Sequence, residues 1–196
     1  MLIDFDLLSY LIGFVILIGL MIVLKKKFKN TNMYILFFSI FYFYILNVLK
    51  YTIFPIAIGT PSVEAMKATT TISSSINLIP FQYQQLQQTL LNILLFIPFG
   101  FGLPYIKKVN LRSLIVFGLI FSLIIELIQL TISMVIGYAY RVIDINDILA
   151  NTMGAVVGYL IFIVFSKVVI STLRNFNTSQ SQLSPFLSYI YNVAKG

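Results

Sequence analysis

Carboxylates and amides are concentrated in one stretch of the chain, residues 126–158. The chain has only six Asp and Glu residues, and three of them lie here. A carboxylate can serve as a general acid or base, can ligate a hard cation, or can bind a polar headgroup. The candidate site predicted from this stretch comprises Glu126, Gln129, Arg141, Asp144, Asp147 and Asn151, with Gly154 and Gly158 in support.

Glu126 has the most unusual setting of these residues. It lies inside the apolar run 114–136, which is long enough to cross a bilayer. Placing a carboxyl group in hydrocarbon costs about 3 kcal/mol on insertion scales, so such a residue is predicted to have a function. A purely structural hydrogen bond is the alternative for Glu126.

Helical spacing places the polar residues on two faces that can meet. At roughly 100° per residue, one face of the 114–136 run comprises Ser122, Glu126, Gln129 and Ser133. A second face, on the next apolar run, comprises Asp147, Asn151, Gly154 and Gly158. The connection between the runs is short, so we expect antiparallel neighbours. The two glycines fit the small-xxx-small pattern of close helix packing, and the alternatives for Asp147 are a helix cap or a pair with Arg141.

The composition indicates what positions these faces. The chain has 196 residues, of which 59% are hydrophobic and 10% charged, whereas a soluble domain carries roughly a quarter charged residues. We therefore predict an all-α fold, a polytopic membrane helix bundle of about five transmembrane helices. The predicted spans are 7–24, 33–54, 89–106, 114–136 and 146–165.

Basic clusters predict the orientation of the bundle. They lie at 25–29, 107–112 and 167–174, after the first, third and fifth spans. Under the positive-inside rule these clusters are cytoplasmic. The N-terminus, the loop 55–88 and the 141–147 corner are then predicted to lie outside, and the C-terminus in the cytoplasm.

Three organisational units follow from these spans. Residues 1–30 form an N-terminal transmembrane helix with a cytoplasmic Lys cluster, 31–170 a four-helix membrane domain with the outer loop 55–88, and 171–196 a cytoplasmic tail. The first half of the outer loop is polar and predicted to be flexible. Its second half, which includes Asn77, Pro80 and Phe81, is apolar enough to lie in the interface or to cap the bundle.

Four further residues belong to the prediction: Asn92 is a site residue, and Lys50, Pro98 and Gly100 support the site. Lys50, near the end of the second span, either reaches the outer headgroups or pairs with a carboxylate of the 126–158 stretch. Pro98 has no N–H, so the carbonyl of Leu94 lacks its helical partner, and Glu126 could donate to it. Asn92 is expected to complete the site near the outer face, and Gly100 lies two residues after Pro98.

Several chemistries are disfavoured by what the chain lacks. It has neither Cys nor His, so disulfides, thiolate metal sites and histidine bases are absent. Nucleic acid is not a predicted partner, because the basic residues sit beside apolar runs. Oxygen ligation of Mg²⁺ or Ca²⁺ and hydrolysis by a carboxylate base remain weaker alternatives. No cofactor and no metal site are predicted; headgroup binding of an amphiphile is better supported.

The chain resembles the VanZ-like family of bacterial membrane proteins. The residues that carry the resemblance are Asn77, Pro80, Phe81, Asn92, Pro98, Phe99, Gly100, Glu126, Gln129, Arg141, Asp144, Asp147, Asn151, Gly154 and Gly158. The resemblance implies a role in resistance to glycopeptide antibiotics, especially the lipid-bearing teicoplanin.

Two function classes follow for a multi-pass protein of the bacterial plasma membrane. In the first, the protein binds a lipid-linked wall precursor or a lipoglycopeptide at the outer face without catalysis. In the second, it is an enzyme that modifies a lipid-linked envelope component. Besides the lipid bilayer, these ligands are the predicted partners.

Overall fold

The computed structural model describes residues 1–69, 71–82, 85–175 and 183–195. In these ranges, five helices are long and apolar enough to cross a membrane, which confirms the predicted all-α membrane fold. The α-helices are α1 (Leu7–Lys26), α2 (Asn32–Ile53), α3 (Pro61–Thr69), α4 (Leu86–Gly102), α5 (Leu111–Ile136), α6 (Ile145–Asn175) and α7 (Pro185–Lys195). Two-residue strands are β1 (Leu2–Ile3), β2 (Ile56–Ala57), β3 (Ile76–Asn77) and β4 (Ile143–Asp144).

Side-chain caps set where the spans begin and end. The Asp6 carboxylate accepts from the Ser9 N–H at 3.0 Å at the start of α1. Asn110 and Ser113 form a reciprocal capping box at the start of α5. Helix α5 ends at Gly137, whose φ of 79° lies in the left-handed region that glycine adopts without strain. These local signals are typical of helix boundaries.

The closest contact in the bundle joins α4 and α6, whose backbones touch. A Cβ atom added to any of three glycines would collide with a carbonyl oxygen of the facing helix. The colliding pairs are Gly154 with Ile93, Gly158 with Ile97 and Gly100 with Ala155. The sequence predicts Gly154 and Gly158 on a face toward the fourth span, which is α5. In the structure both glycines instead pack on α4, because the polar face of α6 lies between α4 and α5.

An aromatic-rich core fills the space between α2, α4, α5 and α6. Phe96 and Phe99 of α4 pack with Val48, Leu114 and Ile125. Helix α1 lies at the periphery, with only Gly13 and Leu17 buried along its length. The four-helix core is therefore complete without α1.

Strand pairing gathers three segments at one end of the bundle. Strand β1 pairs antiparallel with β2, and β3 pairs parallel with β4. The N-terminus, the loop between α2 and α4, and the corner between α5 and α6 therefore lie together, and we call this end the site end. The sequence predicts these three segments on one side, and they do share one end.

The loop between α2 and α4 is more ordered than the sequence predicts. Its polar first half forms α3, which starts after Thr60, whose hydroxyl accepts from the Val63 N–H at 3.3 Å. Val63 is buried, and Lys67 pairs with Glu64 at 3.2 Å. The predicted flexibility is wrong for this helix because a cap and one buried apolar side chain suffice to order it. Residues 70 and 83–84 of the loop lie outside the described residues.

The fifth span is longer than predicted. Helix α6 continues to Asn175 instead of ending at 165, since Lys167 and Arg174 are good helix formers and the helix continues through them. Helix α7, in the predicted tail, packs on α6 and α2. Its Tyr189 hydroxyl donates to the Tyr105 carbonyl at 2.6 Å. Residues 176–182 and 196 of the tail lie outside the described residues.

Candidate functional site

A polar cavity of about 950 Å³ opens at the site end between α2, α4, α5 and α6. It brings together six of the seven polar site residues predicted from the sequence. These are Asn92, Glu126, Gln129, Arg141, Asp147 and Asn151. Residues separated by up to 59 positions in the sequence thus line one cavity. Their function stays a prediction.

Glu126 is the most buried acid in the cavity, with 3% of its surface exposed. Its Oε2 accepts from the backbone N–H of Asp144 at 3.3 Å. The sequence suggested a hydrogen bond from Glu126 to the Leu94 carbonyl. In the described part of the chain, this bond is not present. The corner between α5 and α6 folds back over Glu126, so the partner of Glu126 is a backbone donor of that corner and not the carbonyl acceptor of α4.

Asp144 and Asp147 divide two roles at the start of α6. The Asp144 Oδ1 accepts from the Asn146 N–H at 2.8 Å, as a helix cap does. Both carboxylate oxygens of Asp147 accept from Gln88 Nε2, at 3.0 and 3.2 Å. Asp147 is thus not the cap that the sequence allowed, because Asp144 stands one turn earlier. Instead it faces the cavity.

Arg141 and Gln129 bind the exposed carbonyls at the end of α2. Gln129 Nε2 donates to the Thr52 carbonyl at 2.8 Å. Arg141 donates to the carbonyls of Phe54, at 3.2 Å, and Tyr51, at 3.4 Å. The last carbonyls of a helix lack intrahelical partners, and Pro55 has no N–H to offer. Arg141 forms no ion pair with Asp147 within the described ranges, so the pair that the sequence allowed between them is not present.

A hydrogen-bond network joins the loop at 77–82 to the start of α6. Asn77 Nδ2 donates to the Asp144 carboxylate at 3.0 Å, alongside the parallel pairing of β3 with β4. The Phe81 N–H donates to Asn146 Oδ1 at 2.7 Å. Asn146 in turn donates to the Gln82 carbonyl at 3.2 Å. Asn77, Pro80 and Phe81 therefore lie over the corner beside the cavity and not in its lining.

Polar atoms without partners face the cavity. Asn151 Nδ2 donates to Ser122 Oγ at 2.9 Å, but Asn151 Oδ1 has no hydrogen bond among the described residues. The Tyr140 hydroxyl is likewise buried without a partner there. Burial raises the pKa of Tyr140, so its hydroxyl stays protonated at neutral pH and can donate. The Asn92 amide lies beside Asp147 without reaching hydrogen-bonding geometry. Buried polar atoms of this kind are normally satisfied, so these atoms are suited to a polar partner that enters the cavity.

The remaining supporting residues lie outside the lining. The Lys50 ammonium lies over the rings of Tyr10 and Tyr51, at 5.4 and 5.9 Å. It pairs with no carboxylate of the 126–158 stretch in the described residues. Helix α4 continues through Pro98 without a break. The Tyr44 hydroxyl donates at 2.8 Å to the carbonyl of Leu95, next to the carbonyl that Pro98 leaves without its N–H.

Comparison with known protein families shows a match for this chain. The VanZ/LLP1 family model matches residues 41–166, which is more than half of the chain. The chain belongs to the VanZ/LLP1 family. No curated protein and no solved structure matches it. All the residues that line the cavity fall inside the matched range, whereas α1 and α7 fall outside it.

The VanZ/LLP1 cavity also has residues that the sequence did not indicate. Gln88 and Tyr140 both line it. Gln88 lies in the first turn of α4, within a glutamine-rich segment whose composition indicates a polar surface. Tyr140 and Asn146 carried no such signal, because their places depend on how the corner folds back over α5.

The carboxylates of this VanZ/LLP1 protein do not gather around a metal position. Across the residues that the structure describes, no group of three or more Asp or Glu side chains could hold an ion. Each acid instead has a donor of its own, Gln88 for Asp147 and the Asp144 N–H for Glu126. The cavity is therefore arranged as a hydrogen-bonding surface.

Proposed function

We propose that the protein binds the headgroup of a lipid-linked envelope component or of a lipoglycopeptide at the outer face of a bacterial plasma membrane. By doing so it contributes to resistance to glycopeptide antibiotics of the teicoplanin type. Membership of the VanZ/LLP1 family supports this proposal, and the polar cavity is the site that we propose for the headgroup.

The observation that carries the proposal is the mixed character of the cavity. Unpartnered atoms of Asn151 and Tyr140 offer an acceptor and a donor, as sugars and peptides require. Leu91 and Leu94 line the same cavity and are more than half exposed on the outside of α4. A molecule with a polar head and an apolar tail matches both surfaces at once.

Charge distribution supports an outward-facing site end. All six acidic residues, every one of them in the described part, lie at or near that end, on the N-terminal segment, on α3, in the cavity or at the corner beside it. Ten of the thirteen Lys and Arg residues lie toward the opposite end, after α1, around the start of α5 and on α6 and α7. Basic residues are retained on the cytoplasmic side.

Labelling of introduced cysteines tests this orientation. The chain has no Cys, so each variant carries a single thiol. Ser62→Cys, on exposed α3, is expected to react with a membrane-impermeant reagent on intact cells. Phe28→Cys, which is 61% exposed within the first Lys cluster and leaves every charge in place, is expected to react only after the cells are opened. The reverse pattern would place the cavity in the cytoplasm.

Drug selectivity tests the proposed function. The acyl chain of teicoplanin anchors it in the outer leaflet, since each buried CH₂ contributes about 0.8 kcal/mol. Vancomycin has no such anchor. Expression of the protein in a sensitive bacterium is therefore expected to raise the inhibitory concentration of teicoplanin several-fold and that of vancomycin much less. Equal effects on both drugs, or none on either at verified expression, would contradict the proposal.

A matched pair of variants ties that selectivity to the cavity. Asp147→Ala removes a lining carboxylate and is expected to abolish the difference between the two drugs. Glu64→Ala removes the same charge at the same end, but Glu64 lies on α3, where its carboxylate pairs with Lys67 across a turn, and it does not line the cavity. It is expected to keep the wild-type difference. Loss in both variants would assign the effect to charge alone.

The presence of Glu126 and Asp147 in one cavity favours a second candidate. Two carboxylates in one space can divide the roles of acid and base, so the protein could modify a lipid-linked envelope precursor. Mass spectrometry of wall precursors and lipids from cells with and without the protein separates the two functions. A new or missing species indicates the enzyme, whereas unchanged species with altered drug binding indicate the binding function.

A further inference from the structure

A second cavity, of about 610 Å³, lies at the end of the bundle opposite the site end. Helix α6, helix α7 and the segment that joins α4 to α5 enclose it. Its walls include the apolar side chains Phe162, Ile170 and Val193, and two lysines, Lys108 and Lys167, stand at its edge. It shares no lining residue with the polar cavity.

Within the described residues, neither lysine has a carboxylate partner. Among the described residues the single ion pair is that of Lys67 with Glu64, which lies at the site end. The six Asp and Glu side chains belong to the N-terminal segment, α3, the polar cavity and, for Asp144, the corner beside it. Lys108 and Lys167 come from separate elements and lie at one cavity, so they form a positive edge that an anion can neutralise.

Ser166 points to a ligand independently of the lysines. It lines the cavity and is only 6% exposed. Its hydroxyl has no hydrogen-bond partner in the described part of the chain. A serine in a helix can donate to the carbonyl one turn earlier, yet Ser166 does not. A buried hydroxyl is normally satisfied, so this one is suited to an acceptor that enters the cavity.

Helix α7 holds the cavity in shape. Phe37 of α2 stacks on Tyr189 at 5.0 Å and on Phe186 at 5.6 Å between ring centroids. The Tyr189 hydroxyl bonds to the Tyr105 carbonyl. The wall that Val193 provides is therefore fixed to the bundle by its own contacts.

We propose that this cavity binds an anionic phospholipid. The phosphate lies between Lys108 and Lys167 and accepts from the Ser166 hydroxyl, while an acyl chain covers Phe162, Ile170 and Val193. Lysines beside an apolar surface at the end of a membrane span match the depth at which phosphates of a leaflet lie. This site is separate from the proposed antibiotic-related function and does not depend on it.

Native mass spectrometry of the purified full chain in detergent tests the site. We expect the wild type to retain phosphatidylglycerol in preference to phosphatidylcholine. Lys108→Gln with Lys167→Gln should weaken phosphatidylglycerol binding by about thirtyfold, since each Lys near anionic lipid contributes a factor of roughly five. Lys107→Gln with Arg112→Gln removes the same charge at the same end and should retain binding. Lys107 lies over the Phe117 ring at 4.5 Å, and neither control residue lines the cavity.

Two further measurements separate the parts of the proposal. Val193→Trp fills the apolar side and leaves both lysines in place, so it should also weaken binding of phosphatidylglycerol. Glycerophosphoglycerol, the same headgroup without acyl chains, should compete poorly. Equal binding by the cavity and control pairs, no effect of Val193→Trp, or effective competition by the soluble headgroup would each overturn the proposal, the last in favour of a soluble phosphate ligand.

Discussion

Glu126→Gln is expected to abolish protection against teicoplanin while the protein still folds and reaches the membrane. The Glu126 side chain is almost fully buried and its Oε2 accepts from the Asp144 N–H. A glutamine has the same shape and keeps an oxygen that can accept this bond. The substitution therefore removes the ionisable carboxyl group, with its charge or acidic proton, and puts an amide NH₂ in place of one oxygen. If the carboxyl group acts on a ligand or on water inside the cavity, the variant loses all protection.

The inhibitory concentration of teicoplanin measures this effect, with the amount of protein in the membrane determined for each strain. We expect Glu126→Gln to return the concentration to that of cells without the protein. Glu64→Gln makes the same change on an exposed surface helix and is expected to leave protection intact. Full protection by the Glu126→Gln protein at normal abundance would assign Glu126 a structural hydrogen bond and no more.

Gly154→Ala is expected to disrupt the bundle, although it adds a single methyl group. The added Cβ would collide with the main-chain carbonyl of Ile93, which cannot rotate away as a side chain can. Overpacking a tight core costs about 1–3 kcal/mol. We expect this variant at or above the upper end of that range, because α4 and α6 must separate along their closest contact.

Gly19→Ala is the matched control for this prediction. It makes the same change inside a membrane helix, but nothing lies within 4 Å of the added Cβ. Circular dichroism of the purified proteins in detergent follows unfolding of the helices on heating. The Gly154→Ala protein should melt roughly 5–10 °C below the wild type or fail to accumulate, whereas Gly19→Ala should match the wild type. Equal melting of both variants would mean that the two helices separate without cost.

The spans and the polar lining follow from local features of the sequence. Apolar length and helical period place Glu126, Gln129 and Asn151 on faces that meet, and the structure sets all three in one cavity. Apolar length and helical period are properties of one segment, so the sequence of a single helix is enough to predict its span and its polar face. The same holds for the glycines, whose spacing indicates a close contact but not which helix provides it.

The partners of the polar residues could not be predicted in the same way. Arg141 binds carbonyls of α2 that are 87 and 90 residues away, and no periodicity relates such positions. Strands β3 and β4 have two residues each, which is too short for any alternation to appear. Asn77 and Asp144 meet only because these strands pair. Long-range pairing of irregular segments is decided by the assembled bundle.

The contact of α4 with α6 has a mechanical consequence for the polar cavity. Two helices whose backbones touch at successive glycines cannot slide past one another without steric collision. They form one rigid block that carries Gln88, Asp147 and Asn151. Helices α2 and α5 meet this block through interdigitated side chains, which can repack. Under the proposed binding function, a bulky headgroup would therefore enter by displacement of α2 or α5, with the α4–α6 block as the stationary frame.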